Sequence, residues 1–317
     1  MAAAMFAGCG GSQPPIGVPG AMLQTSAIAT HADRGRSALK PTLPSPGYEV
    51  TAPLLFAVNF SSQNVAIYRT RAKHPRQGRL LATITDGLSL PFGDCIDGQG
   101  TLYVTSDPST SWVSEYLLGE TAPSRIITDG ISEPAYCTID ANGNLWVAND
   151  GDHNVTEYLK GSKKPHTVIS NYLVHPVGIA IDRSGNLYVG NGYGSLDQNV
   201  EVYAPGSKSP SRTITNGVTS PSGLAVDSNG TLYVANTYQN NVEEYRSGQS
   251  DPFQTITDAM DHPGGVTVDK KGTLYVSNIG NSTIAEFAPG SLKPLKREIS
   301  QGLSGPTGVA YYPALLP

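Results

Sequence analysis

An all-β six-bladed propeller is the architecture this chain predicts, and three observations carry the prediction. Gly and Pro supply 35 and 24 of 317 residues, while charged residues make up only 15%, against about 25% in an average globular protein. Such a mixture favours many short strands joined by tight turns over long helices. A strand-like element then recurs along the chain: LLFAVN from Leu54, TLYVTS from Thr101, NLWVAN from Asn144, NLYVGN from Asn186, TLYVAN from Thr231 and TLYVSN from Thr273. Its spacing of about 44 residues is a period of propellers and solenoids. Lastly, an Asp-x-x-Gly turn stands before the second to sixth copies, from Asp97, Asp140, Asp182, Asp227 and Asp269.

Each repeat divides into four strands by alternation and by β-branched and aromatic content. Pro176–Asp182, of the pattern P-x-G-x-A-x-D, is the first kind and the LYV element the second. NVTEY from Asn154 is the third and SRTIT from Ser211 the fourth. The Asp of each Asp-x-x-Gly caps a type I turn and the Gly takes the left-handed position, so the turn joins first strand to second. Leu54 opens on a second strand, whereas Thr307–Tyr312 supply a first strand with Tyr312 where the turn Asp should be. The two ends therefore complete one blade, and a ring closed in this way has no open sheet edge. Phe56, Tyr103, Trp146, Tyr188, Tyr233 and Tyr275 recur at one strand position. Tyr68, Tyr116, Tyr158, Tyr203, Tyr245 and Phe287 recur at another, so large rings are expected to fill the wedge between blades.

The pattern P-x-G-[IL]-A-[IV]-D-x-x-G-[NT]-L-Y-V-[AG]-N followed by N-V-x-x-Y resembles the NHL repeat of six-bladed propellers over residues 54–317. The resemblance implies the fold. For function it implies scaffolds, ligand binders and, among relatives, lyases and calcium-dependent lactonases, so it names no single activity. The usual Asp after the LYV strand is mostly Asn here, at Asn59, Asn149, Asn191, Asn236 and Asn278.

Residues 1–9 end in Phe6-Ala7-Gly8-Cys9, which is similar to a bacterial lipobox with Cys9 as the acylated residue. No basic residue precedes the short apolar run, which a translation start placed upstream would explain; an Ala-rich tail with a chance Cys is the alternative. Residues 10–53, rich in Pro, Gly and Ser, read as a disordered tether. The domains expected are thus a truncated signal-like segment (1–9), a tether (10–53) and the propeller (54–317). An exported protein of the bacterial cell envelope follows, lipid-anchored or extracellular, touching membrane through its anchor only. No run of about 18 apolar residues exists to span a bilayer.

Charge divides between the two faces. Loops from second to third strand and from fourth strand to the next blade share one face. They carry Asp86, Asp107, Asp129, Glu133, Asp150, Asp152, Asp197, Asp258 and Asp261 and no Lys or Arg. The opposite face holds 18 of the 21 basic residues. The acidic face favours a protein, peptide or small cationic ligand. A net charge of −5 and basic loops without interleaved aromatics exclude a specific nucleic-acid binder. A monomer is expected.

The residue before each inner-strand Pro should point near the channel mouth, and these include Glu133, His175 and His262. They form a candidate binding set and a candidate zinc set. The neutral Asn149, Asn191, Asn236 and Asn278 around them suit calcium beside Asp. Asp150 and Asp152 belong to a D-x-D-x-N run with calcium-loop spacing but without the Gly and Glu that complete such a loop. No cofactor is certain, and no G-x-S-x-G or HExxH motif supports hydrolysis. A non-catalytic binding module is therefore expected, with a metal-dependent hydrolase or lyase of lactonase type as the alternative. Cys95 and Cys137 sit on innermost strands of adjacent blades, one register step apart, and are either a disulfide or two small buried hydrophobes.

Overall fold

The structure, a computed structural model, describes residues 53–70, 78–107, 111–192, 198–295 and 298–314. Cys9, tether residues 10–52 and Asp197 lie outside them. Among the described residues there are five four-stranded antiparallel sheets and one three-stranded sheet, arranged as the six blades of a propeller. Blade one pairs the C-terminal strand Pro306–Tyr312 with Leu54–Asn59, followed by Asn64–Arg69 and Arg79–Ile84, so the chain ends close the ring as the repeat phase requires. Blades two to five each run in order from the channel outward, and their inner strands are Pro91–Ile96, Pro134–Ile139, Ile179–Ile181 and Pro221–Val226. Blade six holds Pro263–Val268, Leu274–Asn278 and Thr283–Phe287; in place of a fourth strand two isolated bridges, Ile284 to Ile299 and Phe287 to Pro294, line its outer edge. No helix of the described residues is long and apolar enough to cross a membrane.

Backbone crowding at the axis explains the P-x-G pattern. A Cβ on Gly93 would stand 2.5 Å from the Ala135 carbonyl oxygen of the next inner strand, and Gly178 and Gly223 face Ser222 O and Gly264 O at closer range. Glycine at this position in five of the six blades lets their strands converge that tightly. Further out, successive inner-strand side chains point to opposite faces of the blade and build layers such as Phe56, Val58, Ile96 and Val104 between blades one and two. The repeated aromatics fill these wedges: Tyr68, Tyr116, Tyr158, Tyr203 and Tyr245 are fully buried. Each donates its hydroxyl to a carbonyl of the loop that enters its own blade, at Gln301, Asp86, Asp129, Asn171 and Asn216.

Cys95 and Cys137 are disulfide-bonded, with Cα atoms 5.5 Å apart. Their side chains meet across the interface of blades two and three because positions one register step apart face opposite ways.

Candidate functional site

Neighbouring acidic loops are joined by a repeated exchange of hydrogen bonds at five of the six blade junctions. The residue before each inner-strand Pro is left-handed in every blade: Leu90, Glu133, His175, Ser220, His262 and Gly305 have φ of 44°, 43°, 56°, 49°, 53° and 56°. In five of the six, its N–H donates to the side chain that ends the preceding blade's second-to-third loop. These pairs are Glu133 to Ser111 Oγ, His175 to His153 Nδ1, Ser220 to Gln198 Oε1, His262 to Asn240 Oδ1 and Gly305 to Ser282 Oγ. Carbonyls of Leu90, Glu133, Ser220, His262 and Gly305 accept from the second-to-third loop of their own blade. Glu133, Ser220, His262 and Gly305, which make both bonds, therefore each lock two blades together.

The asparagines at the ends of the second strands have a different job from the one their residue type suggests. Asn59, Asn149, Asn191, Asn236 and Asn278 are buried. The Oδ1 of each accepts a backbone N–H of the loop entering its blade, from Ser304, Ser132, Val174, Thr219 and Asp261. Their Nδ2 groups donate to Gly302, Gly130, Tyr172, Gly217 and Ala259 carbonyls of the same loops. An amide used on both sides has little left for a ligand. These four candidate mouth residues (Asn149, Asn191, Asn236, Asn278), with Asn59, are latches on the loops. The channel below is filled in part by Phe92 and Tyr136, packed edge to face with centroids 5.4 Å apart. Tyr136 stands where the other blades have the crowded glycine, and its hydroxyl donates across the axis to Thr307 O at 2.7 Å.

Of the titratable candidates, the structure brings Asp150 and His175 together and adds His153, with one ligand atom from each all within 4.8 Å of one another. His175 Nδ1 lies 2.8 Å from Asp150 Oδ1, and the two imidazoles meet edge to face with centroids 4.8 Å apart. Burial pushes the Asp150 carboxyl up, His175 draws it back, and the nearby charge of Glu133 raises it further. His262 belongs to blade six, where its Nδ1 lies 2.9 Å from Asp261 Oδ1, so Glu133, His175 and His262 do not converge as one set. Asp152 is exposed at the loop tip. His153 was legible as a repeat position, since Gln63, Ser111, Gln198, Asn240 and Ser282 end the equivalent loops and all offer an acceptor.

The donor set fits neither implied metal. The Asn amides that would suit calcium beside Asp are here committed to the loops. For a zinc-type ion, His153 would have to surrender the Nδ1 lone pair that receives the His175 N–H at 3.2 Å. While Nδ1 accepts, a neutral imidazole carries its proton on Nε2 and offers a metal no second lone pair. What remains is an acidic, histidine-bearing surface with exposed Tyr172, Val174 and Tyr238 among the carboxylates.

One buried group escapes the repeat pattern. Asp94 is 6% exposed on the inner strand of blade two, and neither carboxylate oxygen has a hydrogen-bond partner among the described residues. Cys137, Ile179, Leu224, Val266 and Val309 occupy the same position in the other blades. Desolvation pushes its carboxyl well above the usual range.

Residues 174–312 match the model of a family described as SMP-30/Gluconolactonase/LRE-like region. A chain in the crystal structure of a nidogen/laminin complex superposes with a TM-score of 0.67 at 18% identity, over 82% of this chain and 98% of that one. A protein of unknown function from Bacteroides caccae gives a TM-score of 0.65 at 12% identity, over 82% and 99%. No curated protein sequence matches the chain. At these identities the likeness to solved structures shows the fold.

Proposed function

We propose that this propeller is a non-catalytic binding module that presents its acidic loop face to a cationic peptide or protein segment. The observation that carries the reading is the separation of charge. The loops of this face hold carboxylates and no Lys or Arg, and between them stand the exposed Tyr172, Val174 and Tyr238. Carboxylates raise the local concentration of a cationic partner and steer it in, while exposed aromatic and aliphatic side chains supply the apolar contact. The solved relative in a nidogen/laminin complex is a propeller in a protein assembly, in keeping with such a role. Export and an acyl anchor at Cys9 complete the reading. The Cys95–Cys137 disulfide supports an oxidising compartment, where such bonds persist. The tether would hold the domain off the envelope surface.

The lactonase alternative draws support from the family match over 174–312, whereas the site chemistry argues against a resident calcium or zinc. The test is calorimetric titration of the full chain with lysine-based peptides bearing an aromatic residue, beside acidic peptides of equal length. Lysine peptides are expected to bind with an affinity that falls as salt rises. Tyr172→Ala and the pair Asp150→Asn with Asp152→Asn should each weaken binding, the charge pair by about tenfold. Equal binding of acidic peptides, or indifference to these substitutions, would sink the proposal. Chelator should leave both binding and the melting midpoint unchanged.

A further inference from the structure

On the opposite side of the molecule, blades three and four enclose a cavity of about 470 Å³ beside the Asp-x-x-Gly turns. This is within the size range of small-molecule sites. Its origin lies in one cross-strand row that the repeat sets side by side in each blade. In blade two, Tyr103, Glu115 and Arg125 stand directly opposite one another on the second, third and fourth strands. Arg125 lies on the Glu115 carboxylate, its Nε donating at 2.7 Å, and beside the Tyr103 hydroxyl. Blade four places Arg212 at the same position beside Tyr188, and blade five places Gln254 there, donating to Glu244.

Blade three keeps the aromatic and the carboxylate and lacks the cation. Its row reads Trp146, Glu157, Thr167. Glu157 is 9% exposed, and its carboxylate receives Asn144 Nδ2 at 3.2 Å on Oε1. No described Lys or Arg forms an ion pair with it. Trp146 alone among the six aromatics of its position is not fully buried, and it lines the cavity together with Glu157 and Thr167. Its indole N–H is held toward Asp140 Oδ2 at 3.4 Å, which fixes the ring. Asp140 and Asp182, also on the wall, are each occupied by the turn that follows them. Arg183 and Lys208 reach the rim, where both are exposed to solvent.

We propose that this cavity is a binding site for a guanidinium group, which occupies the space that the arginine side chain fills in blades two and four. Glu157 accepts its N–H donors, and the Trp146 ring meets its flat face. The group can come from a free guanidino compound or from an arginine side chain of a polypeptide, since both present the same planar fork. The site is separate from the acidic loop face and does not depend on how that face is used.

The chain contains two tryptophans, so the full-length Trp112→Phe protein reports on Trp146 by fluorescence. Titration with agmatine is expected to give a saturable change. Butylamine should bind at least about tenfold more weakly, and so should the ureido analogue of agmatine, in which a neutral urea replaces the guanidinium while the ammonium remains. A blocked arginine peptide that binds tighter than agmatine identifies a polypeptide source, and the reverse order a free guanidino compound. Added to the reporter background, Glu157→Gln should weaken agmatine at least about tenfold. Thr167→Arg should abolish binding and raise the melting midpoint by rebuilding the row of blade two. The proposal is overturned by the absence of a saturable signal, by equal binding of the ureido analogue, or by agmatine binding that survives Thr167→Arg in a folded protein. That second variant keeps the test decisive should Glu157→Gln fail to fold.

Discussion

Replacing Asp94 by valine should stabilise this protein, and the gain should grow with pH. The carboxyl is buried between blades one and two, where a Cβ on Gly308 would stand 2.6 Å from Asp94 Oδ1, and it has no hydrogen-bond partner among the described residues. An unsatisfied buried polar group costs about 1–3 kcal/mol, and more when it is charged. Valine is already the residue at the matching positions Val266 and Val309, so the backbone there accommodates it. A second contribution comes from protonation. Because burial raises the folded-state pKa, the native protein binds more protons than the unfolded chain above about pH 3.9, and stability falls as pH rises through that window. Each pH unit in which the native carboxyl stays protonated while the unfolded one is ionised costs about 1.4 kcal/mol. Valine removes this penalty. Its gain should therefore be larger at pH 7 than at pH 4. The assay is urea unfolding of both full-length proteins at several pH values, where shared carboxylates cancel in the difference. A valine protein less stable than the parent, or a gain that stays flat from pH 4 to 7, would refute the reasoning.

Three further outcomes follow from other contacts. Asn236→Ala strips the Gly217 carbonyl and the Thr219 N–H of their buried partner, which should cost about 1–3 kcal/mol in urea unfolding; a loss under about 0.5 kcal/mol would mean the latch is dispensable. Denatured without reductant, the full chain produced without lipidation should offer one thiol, Cys9, to label out of three cysteines, rising to three after reduction. Cys137→Ala should lower stability by up to about 4 kcal/mol, from loop closure across a sequence separation of 42.

The ring of blades, its closure and the wedge-filling aromatics were legible because they depend on local periodicity and on turn chemistry repeated at each copy. The acidic loop face was legible in the same way, since loop identity follows from strand order. Glu133, His175 and His262 looked like one set because they share a repeat position, yet the ring spreads equivalent positions around the axis. Only neighbours can touch, so His175 finds Asp150 and His153 of the preceding blade while His262 finds Asp261 beside it. Asn at the second-strand ends looked like free ligand amides, and which backbone groups they would meet was not written in any one repeat.

By itself the sequence determined the all-β class, the count and phase of the repeats, the joining of the two chain ends and the segregation of charge. Tertiary structure decided what each side chain meets across a blade interface. It put left-handed backbone before proline, where local sterics disfavour a helical turn and favour extended chain, and it tied four of these residues, Glu133, Ser220, His262 and Gly305, to two blades at once. It left the Asp94 carboxyl without a hydrogen-bond partner among the described residues and opened a cavity where Thr167 replaces an arginine. The physical reason is the same in every case: a repeat specifies its own strands through short-range pattern, whereas contacts between repeats depend on which different residues two adjacent copies happen to place face to face.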